Sequence, residues 1–224
     1  MKATWIVKEE KPDILLFFNG WGMDDRIAAF ISSSEPGVCT HDVLAFHDYS
    51  DLNLPSGFSH VLDPYRSVDL VAWSLGVWAA IRAGIPKVDR AVAVNGTPDP
   101  VDDRLGIPLA IFQATLDRYS EDTRRRFERR MLGEEPGERF ARVASRRTTA
   151  DQEEELRSIL QAISGNAPVS RSSWTYGEAV VGGRDLVFPV RNQYNAWDGI
   201  PKRTIASMPH FPFFLLSGWK ELIA

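Results

Sequence analysis

The chain has 224 residues, 44% of them hydrophobic, and a net charge of −4 at pH 7, which together support one buried core, a single domain spanning 1–224, and no nucleic-acid partner. No apolar run approaches the ~18 residues of a membrane span, and the start Met1-Lys2-Ala3-Thr4-Trp5 lacks the pattern of a secretory signal. A single cysteine, Cys39, gives neither a disulfide nor a metal cluster, so the expectation is a cytoplasmic protein with no metal, no cofactor and no membrane attachment.

Trp5-Ile6-Val7 and Ile14-Leu15-Leu16-Phe17-Phe18 read as strands, the second a continuous apolar run of the kind buried on both faces of a parallel sheet. It leaves through Asn19-Gly20-Trp21-Gly22-Met23-Asp24, and helical spacing follows from Asp24 to Ile31. Glycines on either side of a tryptophan at the end of a central strand let backbone N–H groups face an oxygen. Val38 to Phe46 alternates as the next strand, with Cys39 as a small buried thiol. Tyr49 to Tyr65 is rich in turn residues and has room for at most a short helix.

Val68 to Trp73 is an apolar strand that runs into Ala72-Trp73-Ser74-Leu75-Gly76. This is a G-x-S-x-G nucleophile elbow with alanine at the first glycine. Taken alone, the motif is matched by an ordinary strand-to-helix turn that happens to hold a serine. The helix from Gly76 to Ala83 is stopped by Gly84 and Pro86, and Arg90 to Val94 is a further buried strand, leaving through Asn95-Gly96-Thr97-Pro98.

From Pro108 to Gly165 strand signals cease and three helical segments take over. Ser120 caps the first, which ends before Gly133; Glu138 to Arg147 forms the second; Thr149-Ala150-Asp151-Gln152 reads as a capping box opening the third, with Leu156, Ile159, Leu160 and Ile163 on one face. Such an insertion, at about residues 106–165, is a helical cap over the carboxyl edge of the sheet, where ligands bind in such folds. Strand alternation resumes at Trp174. The stretch from Ala179 to Pro189 joins an apolar run, a glycine turn, Asp185 and a proline suited to opening a helix. A last strand from Arg203 ends on His210, and an apolar helix completes the chain.

A serine hydroxyl becomes a nucleophile when a base takes its proton, and histidine has the pKa for that work. His210 is the candidate base. His41, His47 and His60 precede the elbow in strand and loop, where structural roles are the default; His41 and His47 lack a third ligand for a metal. Asp185 is the candidate acid that orients the imidazole, with Asp99 as competitor. The backbone N–H groups of Trp21 and Leu75 are the candidate oxyanion donors. The order Ser, Asp, His is that of the α/β-hydrolases. The expected architecture is therefore the α/β-hydrolase fold, a mostly parallel central sheet flanked by helices, and the expected chemistry is acyl transfer from an ester through Ser74.

With these residues in place the chain resembles the compact pimeloyl-[acyl-carrier-protein] methyl ester esterases of biotin synthesis, the BioG family. The resemblance rests on Phe17-Phe18-Asn19-Gly20-Trp21-Gly22-Met23, Trp73-Ser74-Leu75-Gly76-Val77, Asn95-Gly96-Thr97, Gly106-Ile107-Pro108, and Pro189 with Asn192-Gln193 and Trp197. It implies Ser74 as nucleophile, Asp185 as acid and His210 as base, acting on the terminal methyl ester of a pimeloyl chain still attached to acyl carrier protein. A pocket under Trp21, Trp73 and Trp78 suits a neutral ester, although core packing explains all three equally and is the preferred reading for Trp73 and Trp78. A general short-chain carboxylesterase or thioesterase, and a non-catalytic receptor on the same fold, are the competing readings.

Charge distribution adds a partner surface. Residues 118–147 hold ten of the twenty arginines and six acids, leaving that window at +4 and the remainder at −8. A basic cap suits an acidic carrier protein. If Phe127 and Met131 face the core, Arg125 and Arg129 point outward. Arg142 and Arg146, one helical turn apart on the second segment, complete the candidate carrier contacts; pairing of these arginines with the neighbouring acids is the plain alternative.

Overall fold

The computed structural model describes residues 1–34, 40–134, 137–165 and 173–223. A seven-stranded sheet in the order β1-β3-β2-β4-β5-β6-β7 forms its centre. The strands are β1 (Lys2–Val7), β2 (Asp13–Phe18), β3 (His41–His47), β4 (Ser67–Trp73), β5 (Arg90–Val94), β6 (Glu178–Gly182) and β7 (Lys202–Ile205). β1 runs antiparallel to β3 on the edge, and every other pairing is parallel. The apolar run of β2 is sealed between β3 and β4, and Ile14 to Phe18 are wholly buried, as a strand covered on both faces must be. Cys39 and Val38 lie outside the described residues, and β3 begins at His41.

Helices α1 (Arg26–Ser34), α2 (Phe58–Leu62) and α3 (Gly76–Arg82) link the first strands. Between β5 and β6 the described residues form four helices, α4 (Leu109–Asp117), α5 (Glu121–Leu132), α6 (Gly137–Ala141) and α7 (Thr149–Ser164), where three segments were expected. The helix not foreseen is α4, in which Phe112 is buried while Leu109 and Ile111 are nearly half exposed. The second expected segment ends at Ala141, not Arg147. The Val143 and Ala144 N–H groups still reach the Phe140 carbonyl (2.8 Å each), but the groups beyond are satisfied from elsewhere: Arg26 donates to the carbonyls of Ala144 and Arg142 (2.6 Å each), Arg124 to those of Ser145 and Arg147 (3.1 and 3.3 Å), and the Arg146 N–H donates to Asp24 (2.8 Å). Side chains here replace the helical ladder.

The cap of α7 is Thr148, not Thr149. Its hydroxyl accepts from the Asp151 N–H (3.1 Å) while the Asp151 carboxylate accepts from the Thr148 N–H (3.2 Å). Strand β6 begins four residues after Trp174, which with Tyr176 is buried beforehand. Helix α8 (Val190–Ala196) opens after Pro189 as expected. After β7 the chain is irregular through His210 and the following phenylalanines, and the apolar helix expected at the C-terminus is only the four residues of α9 (Lys220–Ile223). Pro212 denies a helix there its N–H, and Phe211 and Phe213 bury themselves without one.

Candidate active site

Four sheet ends converge. The loop after β2 holds Trp21, the turn after β4 holds Ser74, the turn after β6 holds Asp185, and the loop after β7 holds His210. Ser74 sits at φ 59°, a left-handed conformation rare for a residue with a side chain. The Val77 N–H donates to the Ser74 carbonyl (3.1 Å) and the Ser74 N–H to the Val94 carbonyl (3.0 Å), so both neighbours hold the strain. Close approach explains the small residues around it. A Cβ on Gly76 would stand 2.4 Å from the carbonyl oxygens of Phe18 and Asn19, so α3 packs directly on the end of β2.

His210 Nε2 lies 3.0 Å from Ser74 Oγ and its Nδ1 lies 2.9 Å from Asp185 Oδ2. All three side chains are buried. Asp185 is held by four donors in all: besides His210, the N–H groups of Val187 (2.7 Å) and Phe188 (2.9 Å) reach Oδ1, and Gln193 Nε2 reaches Oδ2 (3.0 Å). Phe188 stacks on the imidazole at 5.9 Å. Trp73 Nε1 donates to the His210 carbonyl (2.9 Å), and Asn95 Nδ2 reaches the carbonyls of Pro209 and His210 (2.8 and 3.0 Å) while its Oδ1 accepts from the Gly182 N–H (2.6 Å). Asp99 is elsewhere. It is exposed beside Trp78 and Arg82 in a separate hollow, and Trp78 lines that hollow and not the one at Ser74.

A cavity of about 40 Å3 opens over Ser74 and His210. Trp21, Trp73, Leu75, Phe112, Met131 and Leu156 make most of its wall apolar. Trp21 and Leu75 are buried, and neither backbone N–H donates to any other described residue. Buried backbone donors are nearly always paired, so two unpaired amides flanking a serine mark a place for an acceptor. The loop that carries Trp21 is fastened to α7: Trp21 Nε1 donates to the Gln152 carbonyl (2.7 Å), Gln152 Nε2 to the Gly22 carbonyl (2.7 Å), and the Gly22 N–H to Glu155 (3.0 Å). Burial pushes the Glu155 carboxyl up in pKa, against the opposing charge of Arg147 and the hydrogen bonds from the Tyr49 and Gly22 N–H groups. The sequence pointed to no site role for Asn95, Gln193 or Glu155, and gave Gln152 only a place in a capping box.

His41 bonds Asp69 (3.0 Å) and His60 bonds Asp63 (3.1 Å). His47 stands at the other end of β3 from His41, its pKa lowered by burial and by Arg147, and no cluster able to hold a metal occurs among the described residues. Arg125 and Arg129 are exposed on α5, Arg125 in an ion pair with Asp122. Arg142 and Arg146 are exposed but stand on irregular chain, so the helical spacing expected between them does not exist. Among the described residues no helix is long and apolar enough to cross a membrane.

The chain matches the family described as Pimeloyl-ACP methyl esterase BioG over residues 1–222. It is 36% identical over 192 residues to a Bacteroides fragilis (strain 638R) protein named malonyl-[acyl-carrier protein] O-methyltransferase, an alignment that covers 84% of this chain and 37% of that one. It thus spans little more than a third of that relative's length. Among solved structures, the crystal structure of BioG from Haemophilus influenzae gives a TM-score of 0.85 at 32% identity and covers 99% of both chains. An α/β hydrolase fold protein from Burkholderia ambifaria gives 0.63 at 15% identity over 99% of this chain and 92% of that one, a likeness of fold. The architecture expected from the sequence, an α/β-hydrolase fold with a mostly parallel sheet flanked by helices, is the one found. A match that runs over nearly the whole sequence, with a solved BioG of the same shape, places this chain in the pimeloyl-ACP methyl esterase BioG family.

Proposed function

We propose that the protein is a serine esterase that removes the terminal methyl ester of a pimeloyl chain carried by acyl carrier protein, giving pimeloyl-carrier and methanol. The observation that carries the reading is the hydrogen-bonded row Asp185, His210, Ser74 ending in an apolar pocket beside two unpaired amides. His210 Nε2 takes the Ser74 proton as Oγ attacks the ester carbonyl, and Asp185 steadies the imidazolium. The carbonyl oxygen, now negative, accepts from the Trp21 and Leu75 N–H groups. Methoxide leaves with the proton from His210, and water, deprotonated by the same nitrogen, releases the acid and restores Ser74. The apolar wall tolerates a neutral ester and disfavours the carboxylate, which aids release.

Two observations support a carrier-bound substrate. The cavity at Ser74 has room for the ester end only, and it shares Ile111, Thr115, Phe127 and Arg130 with a surface groove of about 480 Å3 between α4 and α5. Arg118, Arg126 and Arg130 line that groove; all three are exposed and make no ion pair with a described residue. Guanidinium groups suit the phosphate of a carrier's arm and the carboxylates of its surface. In this reading they are the inner contacts and Arg125 and Arg129 flank them. Arg142 and Arg146, off the helix, are outside this patch. The Bacteroides relative's name supplies a second line of support: an O-methyltransferase on a carrier-bound malonyl group makes the class of bond that a methyl esterase breaks.

The test is mass spectrometry of pimeloyl-carrier methyl ester after incubation with the enzyme. Loss of one methylene with the thioester intact is expected. Release of the carrier thiol would make the protein a thioesterase, and equal kcat/KM on the free dimethyl ester would make it a general carboxylesterase. Failure of Ser74 to react with a fluorophosphonate would point to a receptor.

A further inference from the structure

The inserted helices are bonded to the loop that carries Trp21. Gly22 is tied to α7 at both ends, its N–H on Glu155 (3.0 Å) and its carbonyl on Gln152 (2.7 Å). The Trp21 indole is anchored to the Gln152 carbonyl (2.7 Å) and packed by Tyr119 and Phe127 at 5.1 and 5.2 Å. Gly22 has φ 75°, so few other residues could follow this path. Gln152 and Glu155 are three residues apart and lie about 60° apart on the helix, on one face. Both are buried, Glu155 completely.

Neither side chain is there to cap α7 or to solubilise it. Glu155 spends its other oxygen on the Tyr49 N–H (2.8 Å) and pairs with Arg147 (2.5 Å), which also holds Asp48 (3.1 Å). Gln152 Oε1 accepts from the Tyr119 hydroxyl (2.8 Å). With the side chain of Trp21 and both polar groups of Gly22 fixed, rotation about the Trp21 backbone is constrained, and Trp21, whose own N–H donates to no other described residue, lines the cavity over Ser74. Burying a carboxylate and an amide side chain is costly unless every partner is placed, and here the partners are Gly22 on the loop that carries Trp21 and Tyr49 after β3, completed by Tyr119 and Arg147 of the insertion itself.

We propose that Gln152 and Glu155 are positioning residues for the oxyanion donor, so that α7 must be seated on the Gly20–Gly22 loop before Ser74 can form a stabilised tetrahedral adduct. This rests on the proposed role of the Trp21 amide in ester cleavage. The inserted helices would then have two tasks, shaping the pocket and completing the oxyanion site.

The experiment compares wild type with Gln152→Met, Glu155→Gln and Trp21→Phe, which removes the indole N–H together with the pyrrole part of the ring. Three readouts are taken on each: kcat and KM on a small free methyl ester, affinity for a trifluoromethyl ketone, whose adduct carries the oxyanion, and the rate of fluorophosphonate labelling of Ser74. Active-site titration normalises each to the folded fraction. Loss of a donor itself costs about 10²- to 10³-fold, so misalignment should lower kcat by about 10- to 100-fold in Gln152→Met, less in Glu155→Gln, with KM changed less than about twofold. Ketone affinity and labelling rate should fall by the same factor as kcat. Wild-type kcat and ketone affinity per titrated site in all three variants would overturn the inference while leaving the esterase reading intact. No labelling of wild-type Ser74 would overturn the esterase reading itself.

Discussion

Asn95 offers a sharp test of how the site is held together. It lies at the end of β5, buried, with φ 46°. One amide side chain bridges the Asp185 turn, through the Gly182 N–H, and the His210 loop, through the Pro209 and His210 carbonyls. Asn95→Ala leaves the Pro209 carbonyl and the Gly182 N–H without partners, both buried; the His210 carbonyl keeps Trp73 Nε1 at 2.9 Å. Two orphaned buried groups cost about 1–3 kcal/mol each, so roughly 4 kcal/mol in all, against a total stability of about 5–15 kcal/mol. Asparagine tolerates the left-handed region and alanine does not, so Asn95→Gly should be about 1 kcal/mol more stable than Asn95→Ala although it loses the same hydrogen bonds. Asn95→Asp keeps an acceptor for Gly182 but turns a carboxylate oxygen against two carbonyls, and should be at least as unstable as alanine. Urea unfolding gives these differences at constant slope. Displacing His210 by a fraction of an ångström should also cost about 10- to 100-fold in kcat/KM at a temperature where the variant is folded. An alanine variant within about 1 kcal/mol of wild type and with unchanged kcat/KM would refute the bridge.

Ser74→Ala and His210→Ala should each lower kcat by about 10⁴-fold or more while the fold persists. Asp185→Asn should cost about 10³- to 10⁴-fold; a crippled Asp99→Asn beside a normal Asp185→Asn would reverse the acid assignment. Arg118→Glu combined with Arg126→Glu should raise KM for carrier-linked substrate roughly tenfold, weaken its salt dependence, and spare free methyl esters. Arg125→Glu with Arg129→Glu should do less, since Arg125 is paired with Asp122, and equal losses on both substrates would make these arginines structural. Burial pushes Asp48 up, but hydrogen bonds from Lys2 and Ser50 and the charge of Arg147 hold it at about 2, below its ordinary 3.8. Its contribution is therefore present above about pH 4 and lost as pH falls toward 2, so Asp48→Asn should flatten the acid limb of the stability curve in that window, and an unchanged limb would contradict it.

What could be read from the sequence, and what could not, divides along a physical line. The β2 run, the elbow strand and the capped helix α5 declare themselves because their information is local: continuous burial, a turn with glycine two residues after serine, a serine cap before acids. The residues that hold the site together act across the chain, one polar side chain serving backbone groups 87 to 133 positions away, as Asn95 does for Gly182 and Glu155 for Gly22. Arg26 likewise takes the carbonyls that would have continued α6. Nothing in a neighbouring residue announces such a bond. In α7, however, a signal was present. Its apolar stripe of Leu156, Ile159, Leu160 and Ile163, carried back by one turn, lands on Gln152 and Glu155, and both are buried. Reading Gln152 as part of a capping box one residue out of register hid this, because Thr148 and Asp151 close the box and leave Gln152 free for Gly22 and Tyr119. Polar residues on the continuation of a buried stripe must find partners in the interior. That demand alone points from α7 to whichever loop offers unpaired backbone beneath it, and here that loop is the one bearing Trp21.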